Sequence, residues 1–273
     1  MDMMEVTTEQ VLTAFAVTAA AGLATAIGGL LVLFTKGPSP RLLAFGLAFA
    51  GGAMVYVSLS EILNKSILSF SAAYDARTAF AFATLAFIAG VVATAVLDHA
   101  VENPHQSLDP QGGEYVAMPQ HQVRRIGLMA AIAITVHNLP EGLATFFATL
   151  DNAHVGLGLA AAIAIHNIPE GISIAVPIYV ATNNRLYALL ACVGSGLAEP
   201  LGALIGYTVL APYLSDAVFG AVFGAIAGIM VFLALDELLP AAKRYARGHE
   251  TVYGLVLGMA VMAASLVLFK WYM

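Results

Sequence analysis

The 273 residues carry 10% charged and 60% hydrophobic side chains, with a mean hydropathy of +0.86 and a net charge of −6. A soluble domain has about 25% charged and about 45–50% apolar residues, so this chain has too few charges to cover a water-facing surface. Most of its surface must meet lipid, and eight helices of about 20 residues with short loops would use nearly the whole length.

The absence of a basic run gives no reason to expect a nucleic-acid partner. A single cysteine, Cys192, excludes an internal disulfide and a cysteine-rich metal site.

The N-terminal MDMMEVTTEQ lacks the basic region and small-residue cleavage site of a signal peptide, so the apolar run 11–34 is expected to be a retained helix. Further runs cover 41–63, 78–98, 124–149, 155–181, 184–211, 217–240 and 251–271. Turn-forming residues punctuate them at 36–40, at Asp151-Asn152, at Asn183-Asn184-Arg185 and at Ser215-Asp216. The only long loop, 99–123, is rich in Gly, Pro and Gln, is expected to be mobile and cytoplasmic, and carries His99, His105 and His121. The expectation is an all-α integral membrane protein, one membrane-embedded domain over 1–273. Its eight transmembrane helices form an inverted-repeat bundle with a metal site between kinked helices four and five.

Lys and Arg placement sets the orientation. With the N-terminus outside, the cytoplasmic side holds Lys36, Arg41, Arg124, Arg125, Arg185, Lys243, Arg244 and Arg247, against Lys65, Arg77 and Lys270 outside. Both termini are therefore expected outside the cytoplasm, with the chain in the bacterial cytoplasmic (inner) membrane. Gly220, Gly224 and Gly228 form a small-xxx-small ridge, and Ala19 to Gly29 another small face, both suited to close helix packing.

A charged group near the bilayer centre costs at least about 2.5–3.5 kcal/mol on insertion scales. Glu141, Glu170 and Glu199 nevertheless lie inside predicted helices, with His137 and His166 nearby and no Lys or Arg among them. Such a cluster calls for cations from outside the chain, either protons or metal ions. Glu61, Asp236 and Glu237 sit toward predicted helix ends. Asp236 and Glu237 read either as a cytoplasmic vestibule or as a solvated helix end. Met54 and Ser58 on the second helix read first as packing residues, and Ser58, Glu61, Asp236 and Glu237 are the candidates for lining an ion path.

The sharpest signal is a repeat. His137-Asn138-Leu139-Pro140-Glu141-Gly142 recurs 29 residues later as His166-Asn167-Ile168-Pro169-Glu170-Gly171. On a helix, His and Glu at i and i+4 share a face, and the Asn lies three residues before the Glu. Pro140 and Pro169 offer no N–H to the carbonyls of Val136 and Ile165, so each helix should kink and open space. Irregular backbone at membrane depth is tolerated only where it is buried in protein or lines a cavity.

Consecutive helices run in opposite directions, so the two motifs face each other across an approximate two-fold axis in the membrane plane. Two His, two Glu and two Asn converge there. Imidazole with carboxylate suits zinc, iron, cobalt, nickel or manganese better than calcium or magnesium. With two Glu able to bridge, a pair of adjacent metal sites is expected. Glu199, in Gly194-Ser-Gly-Leu-Ala-Glu199-Pro200, is a third acid before a proline and a further candidate ligand.

These residues resemble the ZIP (Zrt-, Irt-like) metal transporters, most closely a bacterial branch. The resemblance rests on the doubled HNxPEG motif, AEPLGA on the sixth helix and GAMVYVSLSEIL on the second. It implies a binuclear centre. His137, Glu141, His166 and Glu170, with Met54 as a possible cap, would form the primary site. Asn138, Asn167 and Glu199, with both bridging Glu, would form the second. It also implies that the metal bound is cargo and not a catalytic cofactor, and that the chain is no enzyme. Zinc, iron, manganese, cobalt or cadmium would move toward the cytoplasm by rocking or sliding of one helix group, with a homodimer as a possible assembly. The third loop departs from the family in lacking a His-rich run, so His99, His105 and His121 are read as residues of a solvated loop and not as a metal sensor.

An intramembrane zinc hydrolase is the rival reading, since His and Glu also activate water. There is no HExxH, and a catalytic zinc keeps three protein ligands and an open position. A proton-driven carrier of an organic cation leaves the duplicated Asn without a task. One consequence follows from ligand chemistry alone. Histidine binds metal only when neutral, and a free imidazole titrates near about 6.5. Zinc affinity should therefore weaken on acidification from about pH 7 to about pH 5.5, as protons displace metal from His137 and His166. Replacing both histidines by Asp should flatten that dependence and shift preference toward manganese. Calorimetry in detergent with buffer ionisation corrected checks this, and pH-independent wild-type affinity contradicts histidine ligation.

Overall fold

A computed structural model describes residues 6–34, 40–100, 135, 138–213 and 215–272. Their regular structure is helical: α1 (Thr8–Phe34), α2 (Pro40–Val57), α3 (Leu63–Ser71), α4 (Ala76–Ala100), α5 (138–151) and α6 (Ala153–Thr182). The rest are α7 (Arg185–Gly196), α8 (Ala198–Leu210), α9 (Asp216–Leu233), α10 (Leu239–Tyr245) and α11 (Glu250–Tyr272). A π-helical turn at Ser58–Ile62 joins α2 to α3, and another at Ala234–Leu238 joins α9 to α10, so each pair is one continuous rod. Only Leu197 separates α7 from α8.

Among the described residues, seven such rods are long and apolar enough to cross a membrane. With α5 beside them, the chain is an all-α integral membrane protein. Phe80, Leu85, Val209 and Val256 are all more than half exposed, as lipid contact allows and water does not. The sequence positions His105, His121, Lys36, Arg124 and Arg125, and most of loop 99–123, lie outside the described residues.

The punctuation residues of the sequence become caps. The Asn152 side chain accepts from the backbone N–H of His154 and Val155 to start α6, Asn184 accepts from Tyr187 to start α7, and Ser215 from Val218 to start α9. Asn183 ends α6 in the left-handed region at φ 51°, a conformation that Asn tolerates. Asp75 caps α4. The Thr78 hydroxyl and amide hold its carboxyl below the usual range, so the cap's stabilisation is present above the ordinary Asp value and fades as pH falls through the lowered one.

The second rod continues to Ser71, past the end expected at 63, and the seventh to Tyr245, past 240. Polar residues lowered the hydropathy there without ending the helix, and in the second rod Lys65 and Ser66 have partners. Ser66 Oγ donates to the Gly220 carbonyl at 2.6 Å, and Lys65 meets Asp151 at 2.7 Å. Glu61, Asp236 and Glu237 consequently lie within rods and not at their ends. α6 also stays helical through Pro169, so the proline does not break it.

Helices pack in two groups. α1 lies along α6, α7 and α8; α2 packs on α11 and α10, and α3 and α4 on α9. Glycine makes these approaches possible. A Cβ on Gly52 would run into the Leu255 carbonyl of α11, and one on Gly258 into the Phe49 carbonyl of α2. The groups meet where α2 lies on α6, where the Phe147 ring sits 5.4 Å from Phe219, and at the Lys65–Asp151 pair. Gly52→Val is expected to destabilise the bundle by about 1–3 kcal/mol, because the obstruction is backbone and cannot swing aside. A lowered melting temperature in detergent checks this, with Gly46→Ala, where a Cβ meets nothing within 4 Å, as the neutral comparison.

Candidate metal centre

α5 and α6 each offer one polar face in an otherwise apolar helix. Asn138 and Glu141 lie three residues apart on α5, and His166, Asn167 and Glu170 occupy one face of α6. All five, with Glu199 at the start of α8, are fully buried. His166 Nε2 lies 3.2 Å from Glu141 Oε1. One ligand atom each from Glu141, His166 and Glu170 falls within 4.8 Å of the others. His137 lies outside the described residues.

Hydrogen bonds fix which atoms face inward. Asn138 Nδ2 donates to the Ser195 carbonyl at 3.1 Å and to Ser195 Oγ at 3.4 Å. Asn167 Nδ2 donates to the Ala21 carbonyl at 2.9 Å and to Glu199 Oε1 at 2.5 Å. A carbonyl only accepts, so each amide nitrogen must point at it and each amide oxygen must point away. Asn138 Oδ1, Asn167 Oδ1, Glu141 Oε2, both Glu170 oxygens, Glu199 Oε2 and His166 Nδ1 are then buried with no hydrogen-bond partner among the described residues.

That is an unusual concentration of orphaned acceptors, since buried polar groups are almost always paired. No Lys or Arg occurs in α5, α6 or α8 to answer three buried glutamates. A buried acceptor-rich and acid-rich cluster is of the kind that cations complete, and imidazole with carboxylate is a donor set that suits transition metals.

The glycine that ends each motif brings the walls together. A Cβ on Gly142 would overlap the backbone of Glu199, and one on Gly171 would overlap the Thr25 carbonyl of α1. Gly202 meets the Leu139 carbonyl in the same way, and Gly22 and Gly196 meet each other. The acid of α8 is thus held against the motif of α5 by backbone contact.

The remaining sequence candidates lie on other helices. Met54 and Ser58 are fully buried on the second rod, and Glu61 is half-buried in its π-turn. Asp236 and Glu237 are half-buried in the other π-turn, where their carboxylates and that of Asp98 lie within 4.8 Å of one another. His99 is exposed at the end of α4. The sequence pointed to neither Asp98 nor Ser195. Asp98 is one acid at the end of a predicted span, and the Ser195 interaction uses mainly a backbone carbonyl, which has no signature in sequence.

Membrane-crossing helices closed around buried His, Asn and Glu define a protein that handles a cation within the bilayer. The sequence model of the ZIP zinc transporter family matches residues 101–266. The Zinc transporter ZupT of Stenotrophomonas maltophilia (strain K279a) is 65% identical over 269 residues, 98% of this chain and all of that protein. The Zinc transporter ZupT of Neisseria meningitidis (serogroup C, strain FAM18) is 64% identical over 258 residues, 94% of this chain and 96% of that one. That of Streptococcus mutans (strain UA159) is 44% identical over 264 residues, 96% and 99%. The chain belongs to the ZIP zinc transporter family, and is a transporter of divalent metal, not an enzyme.

Because Gly142 abuts the Glu199 backbone, Gly142→Ala is expected to push α5 from α8 and weaken zinc binding about tenfold or more, equivalent to ~1.4 kcal/mol. Metal content and zinc titration of the purified variant check it, and unaltered binding would remove Glu199 from the centre.

Proposed function

We propose that this chain carries zinc, and with it iron, manganese, cobalt or cadmium, across the bacterial inner membrane toward the cytoplasm through a binuclear centre. His137, Glu141, His166 and Glu170, with Met54 as a cap, hold one metal. Asn138, Asn167 and Glu199, sharing Glu141 and Glu170 as bridges, hold the other. The observation that carries this reading is the convergence of Glu141, His166 and Glu170 within 4.8 Å, fully buried, with carboxylate and amide oxygens left without partners among the described residues.

The division into two sites follows from donor type. The first set is rich in imidazole, while the second consists of oxygen donors only and binds a borderline metal less tightly. Ser58, Glu61, Asp236 and Glu237, joined by Asp98, lie on the other helix group and serve as the ion path to and from the centre. Because α1, α5, α6, α7 and α8 are tied by backbone contacts at glycines, they form the unit that moves past α2, α3, α4 and α9 to α11, carrying the metal with it. Eight basic residues on one side against three on the other support an orientation with both termini outside the cytoplasm.

Glu141→Ala and Glu170→Ala are each expected to abolish zinc-65 uptake into sealed vesicles while the protein still reaches the membrane. Near-normal transport by either would sink the bridging assignment. Glu199→Ala or Asn167→Ala should release one metal per protein and alter rate or selectivity without abolishing transport. If purified Glu199→Ala binds as many metals as wild type, the second site lies elsewhere.

A further inference from the structure

Residues 52–63, GAMVYVSLSEIL, and residues 228–239, GIMVFLALDELL, are a second repeat, with six of twelve positions identical, 176 residues apart. The shared positions are Gly52 and Gly228, Met54 and Met230, Val55 and Val231, Leu59 and Leu235, Glu61 and Glu237, Leu63 and Leu239. Both copies form a π-turn at the same place, over Ser58–Ile62 and Ala234–Leu238. Their burial matches position by position: Ser58 and Ala234 buried, Leu59 and Leu235 exposed, Glu61 and Glu237 half-buried, Ile62 and Leu238 buried.

The two rods are antiparallel neighbours. Ser66 Oγ bonds the Gly220 carbonyl near one end, and a Cβ on Gly51 would face Leu238 near the other. The first π-turn packs on α9 and the second on α2, so each faces the other copy.

The turns are defined by their hydrogen bonds. Leu63 N–H donates to the Ser58 carbonyl and Leu239 N–H to the Ala234 carbonyl, five residues back instead of four. A turn closed this way holds one residue more than an α-turn, and such insertions gather at functional positions. Pro240 follows the second turn, but Asn64 stands at the equivalent place in the first, so proline is not the common cause. Within the turns the copies share a leucine, Leu59 or Leu235, and a glutamate, Glu61 or Glu237, and of these only the glutamate is polar.

We propose that each π-turn is a one-residue insertion that turns its half-buried glutamate, Glu61 or Glu237, away from lipid and into the second helix group, Glu237 beside Asp98 of α4, so that the pair serves one at each mouth of the metal path. An α-helix turns about 100° per residue. Without the inserted residue, Glu61 would be rotated by that angle relative to Met54 and the preceding turn, off the face it now occupies. Leu59 and Leu235, 47% and 53% exposed, take the lipid-facing place in each turn, where a lost side chain matters little. Glu61 and Glu237 are thus path residues by placement, and the turn geometry is the positioning element. This rests on the reading of the chain as a zinc carrier.

The test compares zinc-65 uptake into sealed vesicles with zinc stoichiometry of the purified protein, in three variants. Deletion of Leu59 converts the turn to α-helix, Leu59→Ala keeps the length, and the exchange Ser60→Glu with Glu61→Ser moves the acid by one position at constant length and composition. The expected result is uptake lowered at least tenfold in maximal rate by the deletion and by the exchange, with the number of bound zinc ions unchanged, and uptake within twofold of wild type for Leu59→Ala. Should the deleted protein fail to fold, the exchange decides. Wild-type uptake by the exchange variant, or an equal loss in Leu59→Ala, overturns the inference. If wild-type vesicles themselves take up no zinc, it is the transport reading that fails.

Discussion

Three glutamates buried together in an apolar bundle, without a Lys or Arg on the helices that carry them, set the terms for the rest of this structure. Removing a carboxylate from water costs several kcal/mol unless charge of the opposite sign meets it. Nothing in α5, α6 or α8 supplies that charge. On the proposed reading a mobile cation completes this centre, and its affinity has to be balanced so that the cation can also leave.

The neighbouring groups are arranged for the same end. Each Asn directs its nitrogen outward to a carbonyl, Ser195 on one side and Ala21 on the other, which leaves both amide oxygens directed inward. An amide free to turn would offer a donor to a cation half the time. Backbone carbonyls are dependable anchors for this purpose, because helix geometry fixes them and no substitution removes them.

Packing supplies the rigidity. Without a hydrophobic driving force between helices in lipid, association relies on close contact and small residues. Gly142 against Glu199, Gly171 against Thr25, Gly202 against Leu139 and Gly22 against Gly196 tie four rods together around the site. The second group has its own glycine contacts at Gly52 and Gly258. Between the groups α2 lies on α6, and an aromatic pair and the Lys65–Asp151 ion pair join them further out.

Composition and the sequence motifs sufficed for the membrane class and for singling out Asn138, Glu141, His166, Asn167, Glu170 and Glu199, all of which the fold buries. Each of those rests on local information: apolar run length, a fixed spacing on one helix, and the cost of a charge in lipid. The cap residues Asn152, Asn184 and Ser215 were legible for the same reason, since a cap acts within three residues. Tertiary structure decided what distance along the chain conceals. Asp98 joins Asp236 and Glu237 only because α4 packs on α9, and Ala21 and Ser195 orient the amides through carbonyls that every residue possesses. Hydropathy ended the second rod at 63, but it continues to Ser71, because Lys65 and Ser66 find partners on α5 and α9. A polar residue in a helix reads as an end when its partner lies 86 or 154 positions away, and only the fold brings the two together.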